Sequence, residues 1–217
     1  KDGQITHVVC NNTATLMYLA NQAAVSLHVW LSRIDQPNTP DRLIFDLDPP
    51  DDDFEPVREG AFAVRQLLED LGLKPYVMTT GSSGCHVVGP IRREHDFDTV
   101  REFAESAARL LTDGHPDEMT TETRKAKRRG RLYLDVARNA YAQTGVAPYS
   151  VRARRGAPVA TPVRWDELRD PDLGPQSYTI ENIRRRLGQI DDPWANIRRH
   201  ARSLDAPIEK LADMRET

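Results

Sequence analysis

The segment Arg42–Asp48, RLIFDLD, constrains the fold more than any other part of the sequence. Its apolar residues predict a strand, and the two prolines that follow end that strand. Side chains alternate between the faces of a strand, so Asp46 and Asp48 project from the same side, roughly 7 Å apart at the backbone. Two like charges held this close repel each other unless something positive binds between them. The sequence therefore predicts a cation-binding strand end.

Composition limits the remaining possibilities. The chain has 217 residues, enough for one large domain or two small ones with a buried core. No stretch approaches eighteen consecutive apolar residues and the first ten residues lack a signal-peptide hydrophobic region, so no membrane partner is expected. Cys10 and Cys85 are far apart, which argues against a disulfide framework or structural zinc and favours the cytoplasm.

The net charge of −3 conceals a local imbalance. Six of the ten residues Asp46–Glu55 are acidic, whereas six of the eight residues Arg124–Arg131 are basic. A uniformly solvated surface would mix the two signs more evenly. This distribution predicts a cation pocket beside a segment that binds phosphates, although a pI near 6.1 argues against a general nucleic-acid coat.

Hydrophobic periodicity and turn residues predict an irregular order of strands and helices. The pattern favours an α+β fold over a doubly wound parallel sheet. A hairpin is expected around the glycine-serine loop Gly81–Gly84. The predicted strands are Ile5–Val9, Val25–Arg33, Arg42–Asp48 and Arg131–Ala137; the predicted helices begin at Asn12 or Thr13, span Pro56–Leu71 and Asp98–Leu111, and fill most of the C-terminal part.

A third carboxylate, Asp135, ends the strand-like sequence LYLD. If the two strands are neighbours, Asp46, Asp48 and Asp135 converge at one end of the sheet. Three hard oxygen donors suit Mg²⁺ or Mn²⁺, and two such ions support phosphoryl or nucleotidyl transfer. The alternative is that all three are strand-end carboxylates that face solvent.

A different enzyme class also fits part of this motif. IFDLDPP looks like the nucleophile loop of haloacid-dehalogenase-type phosphatases, with Asp46 as nucleophile and Asp48 as acid/base. That pattern normally carries Thr or Ser where this chain has Pro50. Asp192, from the later acidic pair, is an ordinary N-cap before Pro193.

The segment MTTGSSGCHVV places small residues and hydroxyls before His86. Glycine lets a backbone approach a phosphate closely, and Thr80, Ser82 and Ser83 offer hydroxyl donors. Next to a carboxylate metal site, such a loop is suited to a triphosphate. The alternative is a flexible hairpin turn followed by a half-buried histidine.

Two basic stretches are candidates for phosphate binding. Arg124–Arg131 runs directly into the strand that ends at Asp135, and Arg152 and Arg154 are predicted on one face of a strand. Arginine forks suit bidentate phosphate contacts. The alternative for a charged run is a solvated surface, which is the interpretation for the later IRRRLG and NIRRHARSL.

Several motifs together resemble one family. LHVWLSR, PDRLIFDLDP, TTGSSGCHV, RKAKRRGRLYLDVARNAYAQTGVAPYSVRARRGAPVATPVRWDEL and DPWA resemble the polymerase domain of bacterial DNA ligase D, over about Ile5 to Ala195. That domain is a branch of the archaeo-eukaryotic primase superfamily, which includes stand-alone bacterial primase-polymerases. The resemblance implies an α+β catalytic core with a central, mostly antiparallel, RNA-recognition-motif-like sheet flanked by helices. It implies a single domain over 1–217, with a core at 5–195 and a helical tail at 196–217.

The resemblance also implies an activity. The expected reaction is template-dependent nucleotidyl transfer that extends primers at breaks or gaps, in non-homologous end joining or gap repair, with a preference for ribonucleotides. Two Mn²⁺ or Mg²⁺ ions, nucleoside triphosphates, gapped or broken DNA, a Ku-type protein and a ligase domain are the implied cofactors and partners, in a nucleoid-associated location. The alternative is a non-catalytic DNA-binding or scaffolding module of the same fold.

Site residues are carried over from the family by position. The expected metal ligands and catalytic residues are Asp46, Asp48 and Asp135. The expected nucleotide-binding residues are His28, Thr80, Ser82, Ser83, Gly84, His86, Lys127, Arg152 and Arg154, and the expected DNA-binding residues are Arg124, Lys125, Lys127, Arg128, Arg129 and Arg131.

The sequence departs from the family pattern at three places. Ser83 stands where family members generally have a lysine, so one phosphate contact is expected to be missing or supplied elsewhere. Thr80 replaces the usual serine and keeps the hydroxyl. The resemblance also leads us to expect that the family's N-terminal segment, which grips the downstream 5′-phosphate and the template, is missing from these 217 residues, either because they are a fragment or catalytic core or because the chain is a trimmed relative with altered DNA binding.

Overall fold

The computed structural model describes residues 6–216. The strands are β1 (His28–Trp30), β2 (Ser32–Arg33), β3 (Gln36–Pro40), β4 (Arg42–Asp48), β5 (Tyr76–Thr79), β6 (Cys85–Pro90), β7 (Met119–Thr120), β8 (Leu132–Asp135), β9 (Thr144–Val146) and β10 (Thr161–Val163). The helices are α1 (Thr13–Asn21), α2 (Glu55–Asp70), α3 (Phe97–Gly114), α4 (Ile183–Leu187) and α5 (Asp205–Glu216).

A six-stranded sheet in the order β10-β5-β6-β4-β8-β7 forms the centre of the fold. Every neighbouring pair in it is antiparallel except β7 and β8. The prediction of a mostly antiparallel central sheet with helices around it is confirmed, and so is the hairpin of β5 and β6. Strand β4 pairs with β6 on one side and β8 on the other, which places the sequence RLIFDLD in the middle of the sheet.

Alternation along β4 separates the two faces of this sheet. Leu43, Phe45 and Leu47 are fully buried in the larger apolar cluster, which also contains the inner faces of α2 and α3. Ile44 belongs to a second, smaller cluster on the opposite face, together with Met78 and Trp194. The even-numbered Asp46 and Asp48 share the face of Ile44, so both carboxylates lie on the side of the sheet away from α2 and α3.

Two local features fix the central strand. Gly84, directly before β6, lies so close to the end of β4 that a Cβ atom there would be 1.8 Å from the carbonyl oxygen of Leu47, a contact that only glycine avoids. The buried side chain of Asn139 donates to the carbonyl oxygens of Ile44 and Val136 and accepts from the amide of Ile44. Asn139 thus continues the ladder of β4 beyond the last residue of β8.

Some sequence predictions were wrong. In the predicted strand Ile5–Val9, Ile5 lies outside the described residues, and residues 6–9 have no regular secondary structure. The predicted strand Val25–Arg33 is divided into β1 and β2 because β1 pairs with the distant β9 while β2 pairs with β3. Its predicted inward face is also only partly buried, since Leu31 is buried but Val25 and Val29 are exposed.

The C-terminal part is less helical than predicted. Helix α4 has only five residues, and Ile197–His200 forms a short 3₁₀ helix. Asp192 accepts hydrogen bonds from the amide of Trp194 and the hydroxyl of Tyr149, but residues 193–196 form a turn, so the helix that Asp192 was predicted to cap does not begin at Pro193. Within residues 6–216, no helix is long and apolar enough to cross a membrane.

Candidate active site

Three carboxylates from neighbouring strands converge on the face away from α2 and α3. Asp46 of β4 lies directly opposite Asp135 of β8, and Asp48 follows two residues later on the same face. Oxygen atoms of the three side chains lie within 4.8 Å of one another. This spacing and an all-oxygen donor set fit a hard divalent cation such as Mg²⁺ or Mn²⁺. The predicted convergence of the two strand ends is therefore present in the fold.

Asp46 is the most buried member of the cluster, with 6% of its surface exposed. Its Oδ1 lies 3.4 Å from Nε2 of His86, the residue opposite it on the neighbouring strand β6. Its Oδ2 lies 3.4 Å from Nε of Arg138. Burial acts to raise the pKa of Asp46, but the charge and hydrogen bonds of His86 and Arg138 outweigh it and hold the pKa below the ordinary value. Asp46 is thus an ionised group held between two nitrogen donors.

Asp48 has a different environment. Burial and the negative charges of Asp46 and Asp135 raise its pKa from 3.8 to about 6. Among the residues that the structure describes, no hydrogen bond or ion pair to its carboxylate is found. The repulsion predicted for the sequence D-x-D therefore raises the pKa of Asp48. Of the three carboxylates, Asp48 is the one that a bound cation would stabilise most.

Asp135 is oriented by the chain that follows it. Its Oδ1 accepts a hydrogen bond of 2.8 Å from the amide of Ala137, the first residue of a 3₁₀ turn Ala137–Asn139. Its Oδ2 lies 3.9 Å from Nε of Arg138. The turn therefore fixes the carboxylate and at the same time returns Arg138 towards it.

A cleft opens beside the carboxylates. Its polar wall combines residues from β1, the glycine-serine loop, β6 and the segments after β8. The residues that line it are His28, Asp46, Asp48, Thr80, Ser82, His86, Arg138, Thr144, Gly145, Val146 and Arg152. Burial, together with the positive charges of Arg152 and Arg138, lowers the pKa of His28 below its ordinary value of 6.5. The imidazole of His28 is therefore uncharged at neutral pH.

The glycine-serine loop is a turn that is closed by hydrogen bonds. The hydroxyl of Thr80 donates to the carbonyl of Gly84 and accepts from the amide of Ser82. Gly81 has a φ of +64°, and a Cβ atom there would meet the side chain of Arg152 at 2.8 Å. The hydroxyl of Thr80 is thus engaged in shaping the loop, while Ser82 lines the cleft.

Arg152 and Arg154 do not share a strand face, so that prediction was wrong. Val151 makes a single bridge to Val159, after which the chain leaves the pairing at Arg152 and bends at Ala153 and Arg154. Arg152 donates from Nη1 to the carbonyl of Thr80 at 2.7 Å and lines the cleft, whereas Arg154 is exposed outside it. Of these two arginines, Arg152 is therefore the one placed to meet a ligand beside the carboxylates.

The basic segment Arg124–Arg131 approaches the cluster from the β8 side. The guanidinium of Arg128 lies 3.7 Å from the centre of the Tyr133 ring, and Tyr133 is the partner of Asp48 across the sheet. Arg128 and Arg131 also donate to backbone carbonyls of neighbouring turns. The remaining basic residues are exposed: Arg124, Lys125, Lys127 and Arg129.

Sequence reasoning missed three residues of this site. Arg138 was quoted within a motif but given no role, although it contacts two of the carboxylates. Asn139 supports β4 through its hydrogen bond to the carbonyl of Ile44. Tyr133 supports Arg128, whose guanidinium stacks on its ring. The spacing of three between Asp135 and Arg138 was the available signal, since a single turn returns a side chain over that distance.

Comparison with known proteins agrees with this geometry. The family described as "LigD, primase-polymerase domain" matches residues 1–194. The chain belongs to this family. The chain is 32% identical over 184 residues to the multifunctional non-homologous end joining protein LigD of Pseudomonas aeruginosa, and 31% identical over 212 residues to the bifunctional LigD of Bacillus subtilis. It covers 22% and 34% of those proteins, and they cover 83% and 97% of it.

A solved structure shares the fold. The polymerase domain of Mycobacterium tuberculosis ligase D, determined in complex with DNA, superposes with a TM-score of 0.84 at 30% identity. The match covers 93% of this chain and 72% of that domain. The α+β fold implied by the sequence resemblance is therefore the fold of a LigD polymerase domain. Membership of this family, together with Pro50 and the hydrogen bonds that Asp192 accepts, leaves the phosphatase alternative without support.

Proposed function

We propose that this chain is a metal-dependent nucleotidyltransferase domain that extends primers at DNA breaks or gaps. The observation that carries the proposal is the convergence of Asp46, Asp48 and Asp135 beside a cleft, in a chain of the LigD primase-polymerase family. The names of its relatives connect such chains with non-homologous end joining, and a related polymerase domain was solved with DNA. The proposal treats 1–217 as one catalytic domain.

The three carboxylates hold the cofactor in this proposal. When bound there, two Mn²⁺ or Mg²⁺ ions supply Lewis-acid activation of the primer 3′-hydroxyl and neutralise charge on the triphosphate. Asp46 stays ionised between His86 and Arg138, Asp48 gains the most from a cation, and the amide of Ala137 orients Asp135. The primer hydroxyl attacks the α-phosphate, and pyrophosphate leaves.

The walls of the cleft bind the nucleotide. Arg152, which is anchored on the carbonyl of Thr80, supplies fixed positive charge for the phosphates. Ser82 adds a hydroxyl, the neutral His28 contributes a ring nitrogen without adding charge, and the buried His86 contributes a second imidazole ring. Lys127 and Arg154 lie outside the cleft, so their proposed contacts are with DNA or with the far end of the triphosphate.

The exposed basic residues of Arg124–Arg131 bind the DNA backbone in this proposal. They contact phosphates and so position the primer and template without reading bases. Arg128 has a second role, because its stacking on Tyr133 holds the segment next to the carboxylates. A preference for ribonucleotides, a Ku-type end-binding partner and cooperation with a ligase domain belong to the proposal through the family resemblance.

A calorimetric titration separates this function from a non-catalytic module of the same fold. The catalytic proposal predicts that a nucleoside triphosphate binds with Mn²⁺ and that Asp48→Asn abolishes this binding. Binding of gapped DNA without any binding of nucleotide or Mn²⁺ would support the scaffolding alternative. Primer extension with ribonucleotides and deoxyribonucleotides, in Mn²⁺ and in Mg²⁺, then tests the expected preferences.

A further inference from the structure

Arg138 occupies an unusual place in the cluster, because it is a cation that already lies among the proposed metal ligands. Its Nε lies 3.4 Å from Asp46 and 3.9 Å from Asp135. Both distances exceed the 2.7–2.9 Å that is typical of a tight charge-assisted hydrogen bond. Elsewhere in the chain, Arg33 and Arg42 hold Asp41 at 2.7 Å. Arg138 is therefore attracted to the carboxylates without being locked to them.

The rest of the Arg138 side chain makes few contacts that would hold it. It is 38% exposed and lines the cleft. Among residues 6–216, no hydrogen-bond acceptor is found for its two terminal nitrogens. By contrast, Arg152 and Arg128 donate to backbone carbonyls that fix them. Of these three arginines, Arg138 is thus the one that the fewest hydrogen bonds hold in place.

Charge explains what this arrangement does. Three ionised carboxylates carry −3, and Arg138 reduces that to −2 in the protein alone. A divalent ion that binds Asp46 and Asp135 is repelled by a guanidinium on the same oxygens, so the two positive groups compete. When divalent ions are bound, they neutralise the carboxylates in place of Arg138. The site then carries enough positive charge to attract a polyphosphate.

We propose that Arg138 is an exchangeable counter-ion, which holds the carboxylate cluster before metal binding and is released by the metal to bind the triphosphate. This rests on the proposed function and names a positioning residue for it. The exchange lowers the affinity of the protein for a divalent ion alone. It also couples metal binding to nucleotide binding, because the released guanidinium becomes available only when the metal is present.

Mn²⁺ titration by calorimetry, without nucleotide, tests the exchange. Arg138→Gln removes the charge and is expected to bind Mn²⁺ about tenfold more tightly than the wild type. Arg138→Lys keeps the charge and is expected to stay within about twofold of the wild type. Arg109→Gln, an exposed change of the same charge on α3, is the matched control and is expected to change nothing. Equal or weaker Mn²⁺ binding by Arg138→Gln would overturn the exchange.

A second measurement uses the wild-type protein and does not depend on a variant that folds. The Nε–H resonance of Arg138 is followed by NMR during titration with diamagnetic Mg²⁺ and then with a non-hydrolysable nucleoside triphosphate. The expected result is one shift on adding Mg²⁺ and a further shift on adding the triphosphate. No shift at saturating Mg²⁺ overturns the exchange alone, whereas failure of the wild type to bind any divalent ion overturns the proposed function as well.

Discussion

Replacement of Asp48 by asparagine is expected to stabilise the metal-free protein at neutral pH. Burial and the neighbouring Asp46 and Asp135 raise the pKa of Asp48 from 3.8 to about 6. Its ionised form is thus less favourable in the folded protein than in the unfolded chain. Asparagine has nearly the same shape and removes that charge. The free energy of unfolding should therefore increase by the amount that ionisation of Asp48 costs the folded protein.

The magnitude follows from the size of the shift. A displacement of about two pKa units corresponds to roughly 3 kcal/mol at most. The side chain is half-buried, and solvent screening reduces this to about 1 kcal/mol. For a chain of this length, about 1 kcal/mol raises Tm by about 2–4 °C.

The sign of the pH dependence provides a second check. A raised pKa means that the folded protein binds a proton between about pH 4 and pH 6 that the unfolded chain does not. The charge at Asp48 therefore destabilises the wild type fully above pH 6, and this effect disappears below about pH 4. The stabilisation by Asp48→Asn should accordingly be present at pH 7.5 and nearly absent at pH 4.

Denaturant unfolding in EDTA at both pH values measures the effect. Asp113→Asn, an exposed change of the same charge at the end of α3, is the matched control. Asp46→Asn is expected to destabilise, because the lowered pKa of Asp46 reflects favourable contacts with His86 and Arg138 that the change removes. A destabilised Asp48→Asn protein, or a gain of the same size at pH 4, would refute this account of the cluster.

Three further predictions concern the support of the site and its DNA contacts. Asn139→Leu should destabilise by about 2–4 kcal/mol in thermal or denaturant unfolding, because it leaves the buried amide and carbonyl of Ile44 without partners. Gly84→Ala should prevent the hairpin from pairing closely with the end of β4 and so remove nucleotide binding, which calorimetry measures, whereas alanine at the unobstructed Gly174 serves as control. Lys125→Glu combined with Lys127→Glu should weaken the binding of gapped DNA of every sequence, as measured by fluorescence anisotropy, and lower the slope of its salt dependence by about two units. An unchanged slope would show that this segment does not contact the DNA.

The central strand and its carboxylates could be predicted from sequence. Apolar alternation ending at Asp46 and Asp48 identifies both the strand and the shared face, and a second strand ending at Asp135 suggests the meeting point. The glycine-serine loop likewise predicts a hairpin. These features depend on residues that are close together in the chain.

The remainder depends on pairing between distant segments. His28 reaches the cleft because β1 pairs with β9, and neither short strand has a pattern that selects its partner. Arg152 reaches it directly after a single bridged residue and before a bend at Ala153 and Arg154, which the alternation of Arg152 and Arg154 does not indicate. Arg138 approaches the carboxylates only because the turn Ala137–Asn139 follows Asp135 directly. Periodicity carries no information on such contacts.

Primer extension on gapped DNA with Mn²⁺ tests the central claim most directly, when the wild type is compared with Asp46→Asn, Asp135→Asn and the control Asp113→Asn. We expect the wild type and the control to add nucleotides at equal rates, and the two cluster variants to lose at least about a thousandfold of that rate while remaining folded. Extension by Asp46→Asn or Asp135→Asn at a rate near that of the wild type would contradict the assignment of the carboxylate cluster as the catalytic site.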